Sequence, residues 1–300
     1  MIPDEIASLP PETSLVESGA FQVFCAAADQ IPATLREIGR LREVTYRAVG
    51  EGTGRTLDLD AFDARYQHLF LWDREQRRVA GAYRIGETDA IVAADGVAGL
   101  YTRTLFRYDA SLLVRIGGPA LELGRSFVRI EYQKNYSALL LLWNGIGQFV
   151  ARHPRYRYLF GPVSISARYS DTSHRLLIEF LRQNHLDRDL ASVVEAVNPA
   201  AQPPAPHLST LAPRTIDEVN RLIAAAERDG KGMPVLLRQY LKLNARLIGF
   251  NVDPDFGDAL DALMIVDLDG VERALLMRYL GRAAAASFLA VHQSARPLAA

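Results

Sequence analysis

Three hundred residues, 49% of them apolar and 23% charged, can bury a substantial core in one large domain or two intimate ones, which excludes a disordered chain. The 34 basic and 35 acidic residues nearly cancel and lie scattered, so nothing in the charge selects nucleic acid as a partner. The single cysteine, Cys25, excludes an intramolecular disulfide framework and suits a reducing compartment.

Residues 1–17 carry prolines and mixed polarity, and residues 1–30 read as an arm laid over the body. Leu35, Ile38, Leu41, Val44, Ala48 and Val49 then recur at helical spacing, interrupted by Arg36, Arg40, Arg42 and Arg47, so residues 31–49 form an amphipathic helix. GEGTGR at residues 50–55 ends it, and an acidic stretch with Asp58, Asp60 and Asp63 follows. Two short apolar runs, HLFLWD and VAGAYRI, flank the charged residues 74–78 and predict a hairpin. Within the less patterned residues 86–118, residues 101–108 fit strand or helix alike. Residues 120–130 alternate, with Leu121, Leu123, Phe127 and Ile130 apolar between Glu122, Arg125 and Arg129, as in a strand with one buried side. After a polar loop, Ser137 is placed to cap a largely buried helix. A strand entering a helix through such a loop leaves the first helical N–H groups free, a ready seat for a phosphate.

Residues 156–166 read as another strand and residues 171–184 as a helix with Leu176, Leu177, Phe180 and Leu181 inward. The proline-rich residues 198–207 are the best linker, separating a core of residues 31–197 from a part spanning residues 208–300. In that part residues 215–229 and 234–243 look helical, with Pro234 at a first helical position, and ARLIGFNVD and ALMIVDL look like strands around the turn PDFGD. One final helix runs from Val271. Strands and helices mixed without strict alternation, with a hairpin at each end, indicate a mixed α/β (α+β) sheet rather than a doubly wound one. No G-x-G-x-x-G, Walker loop, H-E-x-x-H, Cys/His zinc spacing or G-x-S-x-G is present, so no nucleotide loop, metal site or serine-hydrolase elbow is expected. No amino-terminal signal pattern is seen, and the longest apolar run, residues 138–143, is far short of the roughly 20 residues that span a bilayer. A cytoplasmic protein is expected, one able to lie on the inner face of the membrane.

The ordered series LREVTYRAVGEGTG, DLDAFD, HLFLWD, VAGAYRIG, LELGRSF and EYQKNYSALLLLW resembles the acyl-carrier-protein-dependent branch of the GNAT superfamily. That branch includes acyl-homoserine-lactone synthases, ornithine N-acyltransferases, long-chain N-acyl amino acid synthases and proteins labelled hemolysins. The likeness covers residues 35–166, and MPVLLRQYLKLNARLIGFNVDPDFGDALDALMIVDL resembles the carboxy-terminal part of the ornithine and hemolysin-labelled group. It implies a GNAT-like fold whose sheet is completed by the carboxy-terminal part. It also implies transfer of a long-chain, or 3-hydroxy, fatty acyl group from acyl carrier protein to the α-amine of an amino acid, with ornithine favoured and a lyso-aminolipid as product. No cofactor would be permanently bound; the donor would be the phosphopantetheine thioester of the carrier protein, or acyl-coenzyme A.

Residue by residue, Arg47, Asp60, Asp63 and Arg84 resemble the family's acceptor-binding positions, and Glu122 with Arg125 its E-x-x-R on the central strand. The GNAT loop [QR]-x-x-G-x-[GA] is matched by residues 133–138, with Tyr136 where glycine is expected. Glycine there permits close approach of backbone to a pyrophosphate. Its loss favours the single phosphate of a phosphopantetheine arm, to be held by Arg129, Gln133, Lys134, Asn135, Tyr136 and Ser137. Acyl transfer to an amine needs a neutral nitrogen and donors for the developing oxyanion. Glu122 would take the proton, a backbone N–H near residues 124–126 would hold the oxygen, and Arg125 would position Glu122 or grip a substrate carboxylate. Asp60 and Asp63 would attract the cationic amine. Plainer readings stand beside these. Glu122 and Arg125, three apart on a strand, would face opposite sides; the aspartates would cap a short helix; Arg47 and Arg84 would be surface charges. Two other functions compete: an acetyl-coenzyme A-dependent GNAT, separable by donor competition, and a membrane-active protein, which would lyse liposomes and be indifferent to Glu122→Gln.

Overall fold

The charged turn after Asp73 closes a hairpin as its sequence predicts, and the sheet grows outward from it on both sides. The structure, a computed structural model, describes residues 1–134, 137–200 and 213–294. In chain order its strands are β1 (Ser14–Ser18), β2 (Phe21–Ala27), β3 (Gln67–Asp73), β4 (Arg78–Glu87), β5 (Phe106–Arg107), β6 (Ala120–Val128), β7 (Tyr158–Ile165), β8 (Glu195–Ala196), β9 (Arg246–Asp253) and β10 (Ala259–Asp267). Eight of these make one mixed sheet in the order β1-β2-β3-β4-β6-β7-β10-β9, while β5 and β8 form a separate ribbon. Among the described strands of this sheet only β6 and β7 run parallel, and the other pairings are antiparallel.

Both faces of the sheet are covered, which is why its strands read as apolar runs rather than clean alternation. One face packs under helix Ser137–Arg152, where Leu142, Trp143 and Ile146 meet Leu69, Tyr83, Leu121 and Leu123. The other receives helix Pro32–Val49 through Ile38, Leu41 and Tyr46, against Phe70, Ala82 and Phe127. Pro32 starts that helix without losing a bonded N–H, and Gly50, at φ 87°, ends it in the left-handed conformation open to glycine.

Several expectations need correction. The proposed arm supplies β1 and β2 and so opens the sheet, with helix Ile2–Ala7 before it. Residues 101–108, open to strand or helix from sequence, hold both, a short 3-10 helix, Tyr101–Thr104, followed by β5. Pro234 precedes helix Val235–Lys242 as its cap residue, and the last helix is two, broken at Gly281 with φ 84°. The carboxy-terminal hairpin does complete the sheet, since β10 pairs along the whole of β7. Asn198, where the linker was expected to begin, is bonded to β9 through Asn251 and Val252; residues 201–207 of that linker lie outside the described residues. Among the described residues no single helix is long and apolar enough to cross a membrane.

The site is positioned by the way β6 leaves its neighbours. Its ladder to β7 runs only from Ala120 to Glu122, opposite Tyr158 to Phe160, and beyond that the two strands part. Against β4 the register slips between Ala82 and Arg84, opposite a bulge in which Arg125 takes φ 47°. Where the strands last touch, Gly161 is required by space: a β-carbon there would lie 2.0 Å from the Leu123 carbonyl oxygen. Gly161→Ala must push backbone apart, so a loss of about 1–3 kcal/mol or more is expected. The midpoint of urea unfolding reads this, and an unchanged midpoint would show that β6 and β7 separate freely.

Candidate active site

Three arginines and three aspartates meet beneath helix Pro32–Val49. Arg42, on the buried side of that helix and 0% exposed, reaches Asp63 at 2.8 Å. Arg84 on β4 reaches Asp60 at 2.6 Å and Asp63 at 3.4 Å, with its guanidinium over the rings of Tyr66 and Tyr101. Arg125 on the β6 bulge lies 3.2 Å from Asp58 and 3.7 Å from Asp60. The aspartates also cap: Asp60 accepts the Phe62 N–H at 2.9 Å and Asp63 accepts the Asp60 N–H at 2.8 Å, at the start of the 3-10 helix Ala61–Ala64. Capping and ion pairing thus coexist on the same carboxylates. Burial pushes the Asp63 carboxyl up, but Arg42 and Arg84 outweigh it and hold it down to about 2. Asp60 and Asp63 therefore have arginines as their charge partners. Arg47 lies elsewhere. Its exposed guanidinium bonds Glu43 at 2.6 Å and the Arg55 carbonyl at 3.1 Å, so it ties the loop after the helix from outside.

Glu122 is 1% exposed and fully engaged. It accepts the Thr102 N–H at 2.6 Å, the Tyr101 N–H at 3.1 Å and the Tyr66 hydroxyl. That arrangement anchors the 3-10 helix Tyr101–Thr104 and stands Tyr101 between Glu122 and Arg125. Arg125 donates to the Tyr101 hydroxyl at 2.9 Å and lies over both the Tyr101 and Phe256 rings. Strand spacing alone would put Glu122 and Arg125 on opposite faces. The left-handed bulge at Arg125 returns its side chain to the face of Glu122 and Arg84. Held by Tyr66, Tyr101 and Thr102, Glu122, where the sequence suggested a proton acceptor, does not border the cavity between β6 and β7.

Where β6 and β7 part there is a cavity of about 50 Å³, bordered by Tyr46, Tyr101, Arg125, Ser126, Ser164, Asp253 and Asp261 among others. Burial works against the Arg125 charge, but Tyr101, Asp58 and Asp60 more than offset it and hold the guanidinium above its ordinary value. Facing it is an acidic wall. Asp261 is buried with Oδ2 unpartnered, and burial, helped by Asp253 and Glu51, lifts its carboxyl well above the usual range. Burial also raises Asp253. Glu51, just past the helix end, accepts the Ser164 hydroxyl at 2.9 Å, and burial pushes it up to about 7.

Sequence reasoning missed this wall and Arg42. Asp261 stands opposite Ser164 on one side and Asn251 on the other, a row of polar residues inside apolar strands that only the β7-β10-β9 pairing assembles. The signal available was the polar interruption of ALDALMIV. For the donor loop, Arg129 pairs with Glu131 at 2.9 Å, Gln133 donates to the Val128 carbonyl at 2.8 Å, Lys134 is exposed, and Ser137 begins helix Ser137–Arg152. Asn135 and Tyr136 lie outside the described residues.

Residues 41–144 match the family described as an acetyltransferase (GNAT) domain. The chain is 29% identical over 265 residues to a glycine N(alpha)-acyltransferase of Bacteroides thetaiotaomicron, covering 83% of this chain and 78% of the relative. It is 26% identical over 287 residues to an L-ornithine N(alpha)-acyltransferase of Agrobacterium fabrum, covering 91% of each. The solved structure of FeeM, an N-acyl amino acid synthase from uncultured soil microbes, is 14% identical over 54% of this chain and 77% of its own, with a TM-score of 0.32, too low to bear on the fold. With a GNAT match running from the first long helix into the helix after β6, and relatives aligned along most of their own length, the chain is similar to the GNAT-domain N(alpha)-acyltransferases.

Proposed function

We propose that the protein transfers an acyl group from a thioester to the α-amine of an amino acid, and that the acceptor is glycine. The observation that carries this is the cavity between the parting strands, with the Arg125 guanidinium on one side and the Asp253 and Asp261 carboxyls on the other. A free amino acid is a zwitterion of complementary pattern: its carboxylate suits the fork of Arg125 and its ammonium the acidic wall. The cavity, about 50 Å³, is small. That supports glycine over the ornithine favoured from sequence, whose propylamine chain needs more room; the name of the Bacteroides relative supports the same choice.

The free amine attacks the thioester carbonyl, and the β6 backbone beyond the end of its β7 ladder is where N–H groups can meet the developing oxyanion. The donor in this reading is a long acyl chain on the phosphopantetheine arm of acyl carrier protein. An N-acyl glycine is amphiphilic, which fits work at the inner face of the cytoplasmic membrane. Incubation with palmitoyl-acyl carrier protein, or palmitoyl-coenzyme A, and a panel of amino acids tests all of this. N-palmitoylglycine is expected, with kcat/KM for glycine at least tenfold above ornithine, a difference of about 1.4 kcal/mol. Equal or better use of ornithine overturns the choice of acceptor, a coenzyme A preference overturns the choice of donor, and no amide from any amino acid overturns the acyl-transfer reading.

A further inference from the structure

An α-ammonium cannot attack a carbonyl until it loses a proton, and Glu122, 1% exposed and bonded to Tyr66, Tyr101 and Thr102, does not border the cavity. We infer that Glu51 is the terminal acceptor of that proton, receiving it through the Ser164 hydroxyl while Asp261 holds the ammonium beside Ser164. This rests on the acyl-transfer reading.

The geometry is built from three parts of the chain. Gly50 turns the backbone at the helix end, and the carbonyls just before it are pinned: Ala48 accepts Arg168 at 2.7 Å and Val49 accepts the Ser166 hydroxyl at 2.6 Å. Gly257, in the turn between β9 and β10, backs onto Gly50 so closely that a β-carbon there would lie 2.2 Å from the Gly50 carbonyl oxygen. On the far side Glu43 clamps the loop through the N–H groups of Thr53 and Gly54 and the Thr53 hydroxyl, at 3.0, 3.0 and 2.7 Å. The Glu51 carboxyl is thus delivered to Ser164, whose hydroxyl already points at it from 2.9 Å. Ser164 and Asp261 are registered neighbours across β7 and β10, and both border the cavity. Asp261 Oδ2, buried and without a partner, is the acceptor an ammonium would meet there.

The proton count closes. The ammonium gives a proton to Ser164 Oγ as the Ser164 hydroxyl proton passes to Glu51. The freed lone pair forms the C–N bond, and the tetrahedral adduct collapses with cleavage of the C–S bond. The nitrogen's second proton leaves with the thiolate as thiol, and Glu51 returns its proton to water. The titratable and charged groups facing Glu51 are Tyr46 from the helix, Asp261 from β10, Tyr169 beyond β7 and, beside Gly50, Arg168. Burial places the Glu51 carboxyl at about 7, so the proton is taken and returned near neutrality.

The experiment is the pH profile of kcat/KM for glycine with palmitoyl-acyl carrier protein as donor. In the unaltered protein it should rise through an inflection near 7. Glu51→Gln should lose about 10²–10³-fold at neutral pH, and its remaining rate should climb with the free-amine fraction with no inflection near 7. Ser164→Ala breaks the relay and should lose about tenfold or more with an unchanged melting temperature; it carries the test if Glu51→Gln does not fold. Either folded variant keeping the unaltered rate and inflection overturns the inference and leaves the acyl-transfer reading standing. An unaltered protein that makes no amide removes both.

Discussion

Arg125→Met is expected to raise KM for the amino acid acceptor and lower kcat/KM by about a hundred- to a thousand-fold. Truncating one partner of a buried, hydrogen-bonded charge pair costs roughly 2–5 kcal/mol, each 1.4 kcal/mol is tenfold, and Arg125, with its side chain 14% exposed, is mostly out of water. Arg125 borders the cavity and also contacts Asp58, Asp60 and Tyr101, so its loss removes the grip on a carboxylate that the proposed function assigns to it and loosens Tyr101. Because its φ is 47°, Arg125→Gly relaxes a backbone that side chains seldom adopt. It gives a control: Arg125→Gly should be as inactive as Arg125→Met while its backbone is eased. Arg125→Lys keeps the charge without the fork and should fall between. Steady-state kinetics across glycine concentrations decide the matter, and an unchanged KM in all three would remove Arg125 from acceptor binding.

Arg84→Met should be the most damaging substitution for stability. Arg84 is 1% exposed and bridges the half-buried Asp60 and the buried Asp63, so its removal leaves both carboxylates short of a partner, at a cost of about 3–5 kcal/mol. A fall in the urea midpoint measures it; a fall of less than about 1 kcal/mol would mean that Arg42 suffices for both aspartates. The acid limb supplies a second readout. Asp63 is held at about 2, below its ordinary 3.8, so its contribution is present above about 3.8 and is lost as pH falls through about 2. Without Arg84 that carboxyl titrates higher, and acid unfolding should begin at a higher pH.

Periodicity carried the long elements well. Apolar spacing in residues 31–49 corresponds to helix Pro32–Val49, and the two apolar runs around residues 74–78 to β3 and β4. What local pattern could not express was geometry that departs from a regular strand. The bulge that brings Arg125 onto the face of Glu122 is a slip in register, invisible to alternation. Arg42 was legible in principle: it sits four residues after Ile38 and four before Tyr46, on the buried stripe, where a surface charge would not be placed. Glu51, Asp253 and Asp261 are brought together only by sheet order, since β10 returns from the carboxy-terminal part to lie against β7. The amino-terminal strands were missed because β1 is short and follows a proline-rich stretch.

That return of β10 also sets an order on biosynthesis. Until the ribosome has released the stretch ending at Asp267, β7 presents Leu159, Phe160, Val163 and Ile165 along a bare sheet edge, the kind of template on which other chains add as strands. A nascent chain stalled after helix Asp171–Asn184 would hold the cleft's Arg125 side without its acidic side, and would be a substrate for chaperones before it could be an enzyme.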